Sequence, residues 1–208
     1  MAARRTAALL LLLALLTSCS GEGDRRPGQG SGPSPATAGS APSVDPTDAA
    51  WVQLMIPMDE QALVLLDLAA EKATAPRLRS WAAGLRTAQA GELTALRGLR
   101  DRMGLPDTDL HEGHDMPGMV TAEDLERARA AASARFDALV VTQIRDHLRQ
   151  SQQVSRSETT AGGTAEARAR AQTLVTARGQ QLAALTALCA GRAADVPEPF
   201  ACPSDHPV

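Results

Sequence analysis

HEGHDMPGM, running from His111 to Met119, is the stretch on which the reading of this chain turns. Two of the four histidines and two of the six methionines fall within it, with a Glu, an Asp and no helix-favouring period. Two long helical segments precede it and two follow. It reads as a loop joining two similar halves.

The halves are related in sequence. LRTAQAGELTALRGL (Leu85 to Leu99) set against LVTARGQQLAALTAL (Leu174 to Leu188) agrees at Leu, Thr, Ala, Leu, Ala, Leu and Leu. At nearly the same offset, Ile56, Met58 and Asp59 of the first helix fall on Ile144, Asp146 and His147 of the third. A duplicated helical hairpin closing into an all-α, up-and-down four-helix bundle accounts for both matches, with His111 to Met119 as the crossover.

Composition agrees with that fold. With no Tyr, two Phe and two Trp, Ala and Leu must fill the core, which suits helices better than sheets. The 21 Lys+Arg and 24 Asp+Glu are interspersed, so no basic footprint for nucleic acid exists.

Helix one is expected from about Asp48 to Thr74, with the stripe Met55, Met58/Asp59, Ala62, Leu65/Leu66 and Ala69. Pro57 falls early, where a proline either kinks a helix or marks its first turn. Pro76 opens helix two, which runs to about Met103 before Gly104 and Pro106 stop it. Its stripe is Leu78, Trp81, Leu85, Ala88/Gln89, Glu92, Leu96, Leu99 and Met103, so Glu92 joins Asp59 in facing inward. Thr121 to Asp124 has the form of a capping box for a short helix. The next helix spans about Phe136 to Glu158 with the stripe Val140, Ile144, His147/Leu148, Ser151 and Val154. After Gly162-Gly163 the last helix runs from about Thr164 to Ala190. The bundle therefore occupies 48–190.

Residues 1–18 read as a lipoprotein signal peptide. Arg4 and Arg5 precede the apolar run Ala7 to Leu16, too short to span a bilayer, and Leu16-Thr17-Ser18-Cys19 is a lipobox. Cleavage before a diacylated Cys19 would leave the protein held to a membrane outside the cytoplasm. An ordinary signal peptide with an incidental Cys is the alternative. Residues 19–47, rich in Gly, Ser, Pro, Ala and Thr, read as a disordered tether. With Cys19 lipidated, Cys189 and Cys202 remain in an oxidising compartment and are expected to form a disulfide tying the 191–208 tail to the last helix.

Enzyme motifs fail on spacing. HEGH places its histidines three apart where the zinc-protease motif needs four on a helix, and the chain holds no Glu-x-x-His, G-x-S-x-G, P-loop or G-x-G-x-x-G. A binding protein, not an enzyme, is expected; a ferritin-like oxidase ranks third.

MIPMDEQA (Met55 to Ala62), HDMPGMVTAEDL (His114 to Leu125) and FDALVVTQIRDH (Phe136 to His147) resemble the domain of unknown function 305 family. The resemblance covers about Trp51 to Leu188. It implies a ferritin-like four-helix fold, export from a bacterial cell and, since some members are associated with copper, metal binding. Members usually carry His-His after Met-Ile-Pro and again in the third helix. Here those positions read Met58-Asp59 and Asp146-His147, while the His-Asp-Met-Pro-Gly-Met phrase is kept.

Two candidate metal sites result. Met58, Asp59, Glu92, Asp146 and His147 would line a polar pocket inside the bundle, thioether and imidazole suiting Cu(I), imidazole and carboxylate Cu(II) or Zn(II). The alternative is that these are leftover polar residues satisfied by Gln89, Arg145, Arg178 or water. The second site is the loop, where His111, His114, Met116 and Met119 would capture copper without a preformed geometry. There the alternative is that Met116 and Met119 plug the bundle while the histidines face solvent. The expected function is therefore a lipid-anchored extracytoplasmic protein that binds copper weakly, or else an envelope scaffold or partner-binding module that has lost its metal site.

Overall fold

The computed structural model describes residues 44–108, 115–191 and Cys202. The signal peptide, Cys19, most of the tether, His111, His114 and the tail apart from Cys202 lie outside the described residues. Five helices follow in order: α1 (Pro46–Lys72), α2 (Pro76–Arg102), α3 (Ala122–Ala130), α4 (Ser133–Ala161) and α5 (Ala165–Cys189). The long helices form the two expected hairpins, α1–α2 and α4–α5. Helix α1 packs on α4, α2 on α5, and the short α3 rests on α4 and α1.

Local chemistry fixes the ends. Asp45 caps α1, accepting from the Thr47 and Asp48 N–H groups at 2.9 and 3.2 Å, and Pro46 occupies the first turn, where its missing N–H costs nothing. Helix α1 thus starts earlier than its apolar stripe suggests, and Pro57 lies inside it. Pro57 is buried, and α1 runs through it without the hydrogen bond to the carbonyl four residues back. The capping box of α3 is present: the Asp124 N–H donates to Thr121 Oγ1 at 3.1 Å and the Thr121 N–H to Asp124 Oδ2 at 2.9 Å. Thr164 caps α5 through the Ala167 N–H at 3.2 Å.

A uniform shift of 89 residues, the separation of Glu92 from Gln181, carries the first hairpin onto the second. Lys72, the end of α1, lands on Ala161, the end of α4, and Pro76 lands on Ala165. The buried set Asp48, Val52, Met55, Met58, Ala62, Leu66 and Ala69 lands on Asp137, Val141, Ile144, His147, Ser151, Ser155 and Glu158, all buried. His147 is therefore the counterpart of Met58, one place away from the equivalence read from sequence. Matching the residue identities Ile56 and Ile144 misses the register that packing obeys.

Two ties between the hairpins repeat under this shift. Asp48 accepts from the Gly163 and Thr164 N–H groups at 2.7 and 2.9 Å. Asp137 accepts from the Thr74 and Ala75 N–H groups at 2.9 and 3.0 Å and from the Thr74 hydroxyl at 2.6 Å. Each hairpin's first helix thus clasps the turn of the other hairpin, supplying acceptors to donors that begin α5 and α2.

The core divides into two apolar clusters. One, at the α3 end, includes Leu65, Leu78, Leu85, Phe136, Ile144, Leu148 and Leu185; the disulfide of Cys189 and Cys202, with Cα atoms 5.3 Å apart, packs against it. The other includes Trp51, Met55, Met58, Leu96, Leu99, Met119 and Leu174. Buried Asp59, Gln89, His147, Ser151 and Arg178 lie between them along the four long helices. Trp81 and Met103 sit at the margin, half-buried, and Ala88 is exposed, so the inner face of α2 is narrower than its sequence stripe. Among the described residues no helix is long and apolar enough to cross a membrane.

Candidate functional site

Each long helix contributes to the polar layer. Asp59 follows Met58 on α1, Gln89 and Glu92 lie one turn apart on α2, His147 and Ser151 are four apart on α4, and Arg178 and Gln181 are three apart on α5. Spacings of three and four keep such pairs on one face.

Arg178 is the centre of the layer. It has no exposure to solvent and is the largest fully buried side chain. Its Nη2 donates to Asp59 Oδ1 at 2.9 Å, its Nη1 to Glu92 Oε2 at 2.5 Å and to Gln181 Oε1 at 3.0 Å, and its Nε to Ser151 Oγ at 2.8 Å. The guanidinium fork thus spends its donors on two carboxylates, a hydroxyl and an amide, the satisfaction a buried cation requires.

His147 completes the layer without joining the guanidinium. Its Nε2 lies 3.3 Å from Gln89 Nε2 and 3.6 Å from Asp59 Oδ1. Burial, with the nearby Arg178 charge, pushes its pKa down to about 3, although the Gly118 backbone works the other way. The imidazole is therefore neutral and accepts the Gln89 amide proton. Burial pushes the Asp59 carboxyl up to about 7 against the pull of Arg178, and Glu92 adds to the rise. Asp59 Oδ2 and Gln89 Oε1 have no hydrogen-bond partner.

The five residues proposed from sequence as an interior metal pocket are only partly brought together. Asp59, Glu92 and His147 converge. Met58 is buried beside them but belongs to the apolar cluster with Met55 and Leu96. Asp146 faces the other way: it is exposed and lines an outer pocket of about 250 Å³ with Pro117, Gly118, Arg149, Gln150 and Gln153. The cause is helical geometry: His147 and Leu148 take the inward positions, and Asp146, about 200° from Leu148, is turned outward.

A metal does not fit this interior. A permanent cation already contacts both carboxylates, and among the described residues no three His, Cys, Asp or Glu side chains are placed to hold an ion. The partners named from sequence were correct for Arg178 and Gln89. Arg145 instead reaches Cys189 Sγ at 3.8 Å. Ser151 and Gln181 were missed as partners, yet the sequence carried a signal: the Leu85 to Leu99 match sets Gln89 on Arg178 and Glu92 on Gln181.

The described part of the crossover is a tight turn. The Met119 N–H donates to the Met116 carbonyl at 2.9 Å, with Pro117 and Gly118 between them and Gly118 at φ 73°. Pro followed by a positive-φ Gly is the signature of a type II turn. A Cβ at Gly118 would collide with the Gln150 side chain and the Asp146 carbonyl, so glycine is required there on both counts. Met119 is 8% exposed and Met116 half-buried, both against the Trp51–Leu174 cluster. They plug the end of the bundle, while His111 and His114 lie outside the described residues.

The family model for the domain of unknown function DUF305 matches residues 48–189. This chain belongs to the DUF305 family. Solved structures share its fold. A putative secreted DUF305 protein from Streptomyces coelicolor is 17% identical with a TM-score of 0.64, covering 77% of this chain and 98% of its own. A DUF305 fragment from Deinococcus radiodurans is also 17% identical with a TM-score of 0.64, covering 71% and 97%. CopM in its Cu(II)-bound form is 19% identical with a TM-score of 0.57, covering 67% and 93%. No curated protein matches the chain. In the middle of its bundle this DUF305 chain sets Arg178 against Asp59 and Glu92.

Proposed function

We propose that this protein is a lipid-anchored, extracytoplasmic binding protein that takes copper weakly at the His111 to Met119 segment and not inside its bundle. The observation that carries the reading is Arg178, whose guanidinium already sits between Asp59 and Glu92, bonded to both carboxylates. The crossover gathers soft donors away from that ion pair. The turn holds Met116, half-buried, and Met119 three residues apart at the end of the bundle, and His111 and His114 precede them in the sequence. Two thioethers and two imidazoles form a donor set suited to Cu(I), and methionine adapts to an imperfect geometry.

Copper is favoured over other metals because a protein of the same fold, CopM, is described in a Cu(II)-bound form. Location outside the cytoplasm is supported by the lipobox ending in Cys19 and by a relative described as secreted. We read the site as capture rather than catalysis. A second reading, a partner-binding module that has exchanged its metal for an ion pair, is favoured by the same Arg178.

Titration of the purified protein with Cu(I), Cu(II) and Zn(II) under competing chelators tests the proposal. One equivalent of Cu(I) held above a nonspecific control supports copper capture. Absence of binding overturns it in favour of the partner-binding module.

A further inference from the structure

Glu158, in the last turn of α4, is 2% exposed, and neither of its carboxyl oxygens meets an N–H donor. A carboxylate so placed would be a buried charge without a partner, a costly state unless a proton removes it. The group beside it is Asp48, fully buried on α1, whose two oxygens accept from the Gly163 and Thr164 N–H groups. Glycine makes the close approach possible: a Cβ at Gly162 would fall on the Glu158 carboxyl, and one at Gly163 on the carboxyl of Asp45.

We propose that Glu158 and Asp48 share one proton and form a pH-sensitive latch, closed while Glu158 is protonated and loosened when it ionises. Closed, the Glu158 hydroxyl donates to Asp48, which in turn holds the start of α5, so α1, α4 and α5 are tied at one point. Open, two carboxylates face each other with Asp45 close by. Arg168, donating from Nη1 to the Gly162 and Gly163 carbonyls at 2.6 and 3.0 Å, is the charge that partly offsets the repulsion.

The electrostatics agree with the geometry. Burial pushes the Glu158 carboxyl up to about 7, with Asp48 and Asp45 adding to the rise and Arg168 opposing it. For Asp48 burial is outweighed by hydrogen bonds from Thr164, Glu158 and Gly163, and its pKa is lowered. The folded protein therefore keeps a proton that the unfolded chain has already lost between pH 4.5 and about 7. The latch is fully stabilising below pH 4.5, and its contribution falls as pH rises to about 7. The opening equilibrium changes over that window by on the order of 100-fold.

The duplication supplies an internal control. Asp137 makes the equivalent clasp on Thr74 and Ala75, but the counterpart of Glu158 there is Ala69. Only the Asp48 end carries the second carboxyl.

Amide hydrogen exchange read residue by residue tests the latch. Corrected for intrinsic rates, protection of the Gly163 and Thr164 amides should fall at least 10-fold from pH 5.5 to pH 8, while that of Thr74 and Ala75 holds. Glu158→Gln, which keeps a donor but cannot ionise, should remove the fall. Equal pH response at both ends, or an unchanged fall in Glu158→Gln, overturns the proposal. Carbon-13 titration of the wild-type Glu158 carboxyl needs no variant: a midpoint near 7 supports the shared proton, and one near 4.5 overturns it.

Discussion

Arg178 and Asp59 meet at 2.9 Å with neither side chain reaching solvent, at the level where the two apolar clusters of the bundle part. The contact joins α5 of one hairpin to α1 of the other, and the same guanidinium extends to Glu92 on α2. With Ser151 of α4 accepting from Nε, a single side chain links all four long helices.

Removing that guanidinium leaves buried carboxylates without their cation. Breaking a buried pair from one side costs about 3–5 kcal/mol, whereas replacing both partners by apolar residues is often neutral. Arg178→Met is expected to lower the unfolding free energy by about that amount in urea, and Asp59→Leu/Arg178→Met to recover most of it. A loss under about 1 kcal/mol for the single variant would show that the pair is not structurally important.

His147 should be a neutral imidazole throughout the ordinary pH range. Its pKa is pushed from 6.5 down to about 3, so between those values the unfolded chain binds a proton the folded protein refuses. The stability this provides is present above pH 6.5 and declines as pH falls toward 3, by about 1.4 kcal/mol per unit. Asp59, pushed up to about 7, acts with the opposite sign from pH 3.8 to 7, so the net curve is shallow. The clean readout is the imidazole itself: NMR titration should find no His147 midpoint above pH 4, and one near 6.5 would refute the assignment.

The bundle, its hairpin repeat and the α3 capping box were legible because each rests on local chemistry: apolar spacing, Pro76, Gly162-Gly163 and the Thr121 to Asp124 pattern. The interior site was legible only as a list of inward-facing polar residues. Which of them pair depends on long-range register, and assigning His147 to Asp59 rather than to Met58 displaced that register by one residue. Asp146 was grouped with His147 although the inward face there is taken by His147 and Leu148, which turns Asp146 outward. Glu158 was read as a helix end, since nothing local says that a residue 110 places from Asp48 packs against it.

The Asp137 clasp should be a stability element of the bundle. Asp137→Ala removes the acceptor for two N–H groups at the start of α2 and for the Thr74 hydroxyl. Loss of a helix-capping acceptor costs about 1–2 kcal/mol. The variant is expected to lose about 2 kcal/mol in urea unfolding, and an unchanged midpoint would contradict the role.

Reduction should matter as well. The Cys189–Cys202 bond closes a loop of sequence separation 13 and packs on the core cluster that contains Leu185 and Phe136. The chain-entropy relation gives about 3 kcal/mol for such a loop. Thermal unfolding with and without a thiol reductant should differ by several degrees, and Cys202→Ser should abolish the difference. Identical transitions would mean the bond adds nothing.

We propose copper binding at the crossover and not in the bundle. Cu(I) affinity measured against one competing chelator for the wild type, His147→Ala and His111→Ala/His114→Ala tests it most directly. The account predicts wild-type affinity for His147→Ala and loss of at least 10-fold for the loop pair. Affinity lost with His147 and retained in the loop pair would place the ion inside the bundle and contradict the account.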